Sequence, residues 1–229
     1  MTAHDTETGD LARQPIRQFL DDLASRTPAP GGGATAALHA AQAAALLTMV
    51  ARYTTGEKYA DSAELVARLI EGAEAERAAA LRLAAEDAAA FTAVTQAYGL
   101  PRATPQDKER RSAAIAAALA AAAGPPAEVI RVAHSLMTLA ETLLPVANRN
   151  VITDVAAAGE AARAAATTAR LNVEINLGGI RDAKTHSGLL DVLEQVEPLI
   201  RRAAEVERSV RSDLAVKPAP SRPKSRTTP

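Results

Sequence analysis

The chain has 229 residues, 48% of them hydrophobic but only 2% aromatic, and a formal net charge of −1. That length supports one well-buried core or two small ones, and the scarcity of aromatics leaves alanine and small aliphatic groups to fill it. The balanced charge argues against nucleic acid as a partner, and the absence of cysteine excludes disulfides, thiolate zinc sites and a cysteine nucleophile.

No basic segment followed by an apolar run opens the chain, and Arg and Glu interrupt each alanine run. A cytoplasmic protein with no membrane partner is therefore expected. Residues 1–10 are polar and are expected to be disordered. Residues 215–229, "AVKPAPSRPKSRTTP", are Pro-rich and basic and read as a disordered tail. Residues 11–214 read as one all-α domain, a helical bundle of about six to eight helices without a convincing strand.

A short amphipathic helix over about 15–24 places Ile16, Phe19, Leu20 and Leu23 on one face. The stretch "SRTPAPGGGATAAL" follows, with Gly31, Gly32 and Gly33 ahead of a helix over about 34–52 that is apolar nearly all round and so expected to be central. Asp61 and Ser62 open a long helix to about Tyr98. Its stripe of Val66, Ile70, Ala73, Arg77, Ala80, Ala84, Asp87, Phe91, Val94 and Tyr98 is spaced like one buried seam. Arg77 and Asp87 interrupt that seam, and a charge on such a face is paired, at its edge, or in a site.

Thr104, Pro105 and Asp107 spell a helix start, with Thr104 as N-cap, and the helix runs to about Ala123. Gly124-Pro125-Pro126 breaks it before a further helix to about Leu144. After the irregular "PVANRNVITD", Thr153 or Asp154 is a natural N-cap for an alanine-rich helix to about Ile175. A last amphipathic helix is expected over about 189–214.

The glycines match neither a P-loop nor a dinucleotide fingerprint, and no strand precedes them. They read either as a helix start open to an anion or flat polar ligand, or as a close packing of loop on helix. Asn148, Asn150 and Asp154 read as turn and cap residues, or as a carboxylate beside two amides. Asn172 and Asn176 share a helix face, where they cap the helix or hydrogen-bond a heteroaromatic ring. Asp87 is a carboxylate on a buried seam, either paired with Arg77 or another cation or part of a site. No histidine pair has metal-ligand spacing, and no metal site is expected.

Taken in order, "TPAPGGGATAAL", "YTTGEKY", "EDAAAF", "NRNVITDVAAAG" and "LNVEINL" resemble the cyclodeaminase/cyclohydrolase family over about residues 19–207. The resemblance implies an all-α bundle, homodimeric or a higher homo-oligomer, acting on a one-carbon tetrahydrofolate without a further cofactor. Its matching positions are Pro30, Gly31, Gly32, Gly33, Thr54, Gly56, Lys58, Tyr59, Asp87, Asn148, Asn150, Asp154, Asn172 and Asn176. The implied roles are Asp154 or Asp87 as cation stabiliser and base, and Lys58 as proton donor or tail-binding cation. Pro30, Gly31–Gly33, Thr54, Tyr59 and the four asparagines are expected to bind substrate. Methenyltetrahydrofolate cyclohydrolase is the expected activity, with formiminotetrahydrofolate cyclodeaminase as the alternative. A folate-binding or scaffold module is the non-catalytic rival, because "GEKY" carries one lysine where relatives often carry a basic pair.

Overall fold

The computed structural model describes residues 12–215; the expectations for residues 1–10 and for most of 215–229 lie outside that range. Eight α-helices make up the described chain: α1 (Ile16–Ala24), α2 (Gly32–Tyr53), α3 (Ala63–Tyr98), α4 (Pro105–Ala122), α5 (Gly124–Leu143), α6 (Thr153–Leu177), α7 (Ala183–Glu194) and α8 (Val196–Ala215). Short 3-10 turns at Glu57–Ser62 and Arg149–Val151 precede α3 and α6.

α2 is the centre of the bundle and packs against α3, α6 and α5. Its alanines make this possible. Ala34, Ala36, Ala37, Ala40, Ala43 and Ala44 are fully buried, so the neighbouring backbones approach closely. A buried carbon contributes only ~0.8 kcal/mol, and an alanine core needs many close contacts to be stable. Larger side chains fill the wider gap between α5, α6 and α8, where Ile130, Leu136, Met137, Val155, Val173 and Leu199 are buried. Arg202 of α8 clamps Glu141 of α5 through two hydrogen bonds of 2.8 Å and reaches Thr138 at 2.9 Å.

α2 and α6 run antiparallel. Gly32 at the start of α2 faces Asn172 near the end of α6, while the backbone N–H of Asn148, just before α6, donates to Thr54 Oγ1 at the end of α2. The length and apolarity of α2 would suffice to cross a bilayer, but most of it is covered by the bundle.

Several local signals act as read. Thr104 Oγ1 accepts from the Asp107 N–H, the Asp107 carboxylate accepts from the Thr104 N–H, and Pro105 is the first residue of α4. α5 begins at Gly124 with its prolines in the first turn, where no intrahelical N–H is needed.

Five expectations change. The last helix is two, α7 and α8, divided at Gln195, because Pro198 sits at the third position of α8 where its missing N–H is harmless. Ile152, not Thr153 or Asp154, is the N-cap of α6, and no side chain bonds that helix start. Arg77 pairs with Glu74 at 2.5 Å, one turn away on α3, and not with Asp87; Glu74 also receives Arg52 of α2 at 2.9 Å. The α3 seam is buried at Val66, Ala73, Ala80, Ala84 and Val94, but Phe91 and Tyr98 emerge from it. On α1 only Phe19 is buried, and Ile16 and Leu20 remain exposed.

Enlarging the α2 seam should be costly. Ala40→Leu is expected to lower unfolding free energy by about 1–3 kcal/mol, whereas Ala113→Leu on the exposed face of α4 should stay within about 0.5 kcal/mol. Urea denaturation of both variants measures the difference.

Candidate functional site

The start of α2, the C-terminal half of α3 and the end of α6 enclose a cleft of about 170 Å³. Gly31, Gly32 and Gly33 form one wall, Asn172, Ile175 and Asn176 another, and Asp87, Phe91 and Val94 the third, with Pro28 and Ala122 at the margins. Among the described residues, Asp87 is the only ionisable group that lines it.

The three glycines do different things. A Cβ on Gly31 would meet nothing within 4 Å, and one on Gly32 would touch Asn172 Nδ2 at 3.4 Å. A Cβ on Gly33 would lie 1.9 Å from Asp87 Oδ1, an impossible overlap. Gly33 is therefore glycine because the Asp87 carboxylate lies against the backbone there, where it accepts the N–H of Ala34 in the first turn of α2. A helix start attracts an anion through its free N–H groups and its dipole. Here part of that capacity is filled by the chain's own carboxylate.

Asp87 is held between opposing effects. Burial raises its pKa and the Ala34 hydrogen bond lowers it; burial wins, and the pKa rises to about 6. It makes no ion pair among the described residues. The carboxylate can consequently exchange a proton near neutrality, as a general base requires.

Asn172 and Asn176 each donate through Nδ2 to a carbonyl one turn back, to Thr168 O at 2.9 Å and Asn172 O at 2.8 Å. These bonds fix both amides along the cleft. Each Oδ1 has no hydrogen-bond donor among the described residues, so the pair presents acceptors to a ligand bearing ring N–H groups.

The remaining candidates gather elsewhere. Thr54 is the C-cap residue of α2, and its buried hydroxyl donates to Val50 O at 2.8 Å while accepting from Asn148 N–H at 3.0 Å. Asn148 Nδ2 donates to Tyr53 O at 2.7 Å, and its Oδ1 accepts from the N–H of Asn150. Lys58 is exposed in the 3-10 turn after α2, with its ammonium 5.2 Å from the Tyr59 ring centroid. Asp154 lies half-buried in the first turn of α6. Eighteen residues of helix separate Asp154 from Asn172, about 27 Å. The candidates thus form two groups at opposite ends of α2 and α6 within one chain. Pro30 does not line the cleft; Pro28 does.

Phe91, Val94, Ile175 and Ala122 line the cleft without having been singled out as site residues. Phe91 and Val94 carried the signal, because they follow Asp87 on the same seam at helical spacing. Ile175 had none, since an isolated apolar residue on an alanine-rich helix reads as core.

The raised pKa of Asp87 has a consequence for stability. A carboxyl whose folded pKa exceeds its unfolded value of 3.8 binds a proton preferentially in the folded state, so stability falls as pH rises from about 4 to about 6. Asp87→Asn retains an acceptor for Ala34 N–H and removes that penalty. The variant is expected to be more stable than wild type at pH 7, by about 1–3 kcal/mol, and to lose the advantage at pH 4. Thermal or urea unfolding at the two pH values measures this.

Comparison with known proteins bears on the chain and its fold. The profile of the formiminotransferase-cyclodeaminase family matches residues 15–195. A methenyltetrahydrofolate cyclohydrolase of Methylorubrum extorquens is 39% identical over 170 residues, covering 74% of this chain and 82% of that protein. A formimidoyltransferase-cyclodeaminase of Sus scrofa is 35% identical over 173 residues, which cover 75% of this chain but 32% of the longer pig protein. In three dimensions, a formiminotetrahydrofolate cyclodeaminase of Thermotoga maritima superposes with a TM-score of 0.77 at 30% identity, covering 89% of this chain and 98% of that one. The all-α bundle, with its glycine-walled cleft, belongs to the formiminotransferase-cyclodeaminase family.

Proposed function

We propose that this chain hydrolyses 5,10-methenyltetrahydrofolate to 10-formyltetrahydrofolate, and that Asp87 is its general base. The observation that carries this reading is a lone carboxylate with a pKa of about 6, at the wall of a cleft bearing two amide acceptors. The methenyl substrate is a resonance-stabilised cation, and an anion beside its one-carbon bridge stabilises it. Asp87 draws a proton from water as the oxygen adds to that carbon. The hydroxyl of the adduct then gives up its proton as the bond from carbon to N5 breaks, N5 takes up a proton in its place, the formyl group stays on N10, and the proton held by Asp87 passes to solvent. The Oδ1 atoms of Asn172 and Asn176 suit the ring N–H and amino groups of the pterin. The 39% identity to the cyclohydrolase supports this activity in particular.

Cyclodeaminase chemistry is the second reading, supported by the structural likeness to the Thermotoga enzyme. It passes through a related tetrahedral carbon, with ammonia as leaving group, and makes similar demands of the carboxylate and amides.

The group at the far end of α2 enters the same reading through a second copy of the chain. A two-fold axis crossing the middle of α2 and α6 would set the end of α2 in one copy beside the start of α2 in the other. The uncovered surface supports such a pairing. α6 leaves Ala157, Ala164, Leu171 and Ile175 at least partly exposed at helical spacing, with Leu171 62% and Ile175 81% exposed. α2 similarly leaves Leu38, Ala45, Met49 and Tyr53, and α1 leaves Ile16 and Leu20. Lys58 and Asp154 of one copy would then serve the cleft of the other, as proton donor and second anion.

Two experiments address these points. The near-ultraviolet absorbance of the methenyl substrate disappears on hydrolysis. Wild type should accelerate its loss with an acid limb in kcat/KM near the Asp87 pKa. Asp87→Asn should abolish that limb and lower kcat by a factor of about 100 or more. Formation of methenyl absorbance from the formimino substrate instead would favour the cyclodeaminase, and binding of either folate without turnover would defeat the enzymatic reading. For the shared site, Asp87→Asn and Asp154→Asn chains, each inactive alone, should recover about a quarter of wild-type activity when co-assembled, because half of the dimers then hold one intact site of two. No recovery from a demonstrated dimer would leave the far group outside the site.

A further inference from the structure

Gly33 is the second residue of α2, and neither its conformation nor its exposure calls for glycine. Gly56 is the one described glycine with a positive φ, so the backbone at Gly33 would accept alanine, which favours a helix. Along the cleft wall Gly32 is exposed, whereas Gly33 is buried.

The whole carboxyl group of Asp87 is what calls for glycine. A Cβ on Gly33 would lie 1.9 Å from Oδ1, 2.3 Å from Cγ and 2.5 Å from Oδ2. Turning the carboxylate about the Cβ–Cγ bond does not relieve this, because Cγ lies on that axis and overlaps too. Non-bonded heavy atoms need about 3.5 Å, so the group would have to retreat by about 1 Å or more. That retreat requires rotation about the Cα–Cβ bond of Asp87. It leaves α3 in place but carries the carboxylate off the Ala34 N–H, which favours its charged form against burial.

No other charge takes over that task. Among the described residues, His39 of α2, Glu86 of α3 and Arg170 and Glu174 of α6 all lie outside the cleft wall, and Arg170 pairs with Glu197 at 2.9 Å. The adjoining pocket of about 450 Å³, about one turn further along α3, holds Arg102, Lys108, Arg111 and Arg181 but shares no lining residue with the cleft.

We propose that Gly33 is a positioning residue for the reaction: its missing side chain seats the Asp87 carboxylate on the first turn of α2, and contact with substrate is not its role. The proposal rests on Asp87 as the general base of the folate reading. It separates Gly33 from Gly31 and Gly32, where an added Cβ would meet nothing or make only a 3.4 Å contact with Asn172.

Gly33→Ala should lower kcat at pH 7 by roughly ten- to a hundredfold, while KM changes by less than about twofold. The acid limb of kcat/KM should move to higher pH, because the carboxyl stays covered but has lost the bond that favours its charge. A carbon NMR titration of the Asp87 carboxyl, which needs no substrate, should show the same upward shift. In an Asp87→Asn background, adding Gly33→Ala should change the residual kcat by less than about twofold. Stability supplies a further check. Gly33→Ala should lower the melting temperature of the wild-type chain but raise it in an Asp87→Ala background, where the carboxylate is gone and alanine favours the helix. A raised KM with kcat and the acid limb unmoved would assign Gly33 to substrate contact and overturn the proposal. So would an unmoved or lowered Asp87 titration, or equal melting-temperature changes in the two backgrounds. Turnover of neither folate by wild type would overturn the folate reading, and the catalytic role of Gly33 with it, even where the NMR and melting data show the carboxylate seated as described.

Discussion

The close approach of α2 to its neighbours governs the rest of the molecule. Alanines line α2 where it meets α3 and α6, and their small side chains let the three backbones pack without large spacers. At the end of that seam the approach becomes so close that only Gly33 fits beside Asp87. One packing rule thus produces both the core and the site. The carboxylate is desolvated because α2 covers it, and it remains ionisable because the same helix offers it the Ala34 N–H. A wider bundle built on leucine would leave the carboxylate more hydrated and nearer its ordinary pKa.

The proposed chemistry rests on how charge is distributed around this end of the bundle. Among the described residues, a single carboxylate faces a small cleft, two amides offer acceptors, and the cations of the adjoining pocket form no ion pair. The far end of α2 has a different character in the single chain. Its polar groups are largely engaged in joining elements, Thr54 to Val50 and Asn148, and Asn148 to Tyr53. Those contacts hold the "YTTG" turn against the segment before α6, and so fix where Lys58 and Asp154 are displayed.

Much of this was legible in the amino-acid order, for reasons that can be named. The capping of α4 depends on four adjacent residues and is a local event, so Thr104, Pro105 and Asp107 announced it. The central place of α2 followed from apolar residues on all its faces. Asp87 drew notice because helical spacing alone puts it on the α3 seam. The failures were equally physical. Arg77 and Asp87 share that seam, yet lie ten residues apart, and Arg77 instead reaches Glu74 within one turn. The single helix expected at the end of the chain divides because Pro198 is compatible with a first turn but not with a helix interior.

The sequence by itself determined that this chain is a helical bundle with an alanine core, and through its ordered motifs which family it resembles. Periodicity, caps and composition are local properties, and they suffice for that. Only the tertiary structure decided which candidate residues meet. It joined Gly33, Asp87, Asn172 and Asn176 from three helices, and set Asp154 about 27 Å from Asn172 along α6, with Thr54 and Asn148 joined at that far end. It also decided the meaning of the three glycines, since Gly33 alone faces a carboxylate that would overlap a methyl group. No spacing along one chain encodes that choice, because it depends on how antiparallel helices slide past one another before they lock.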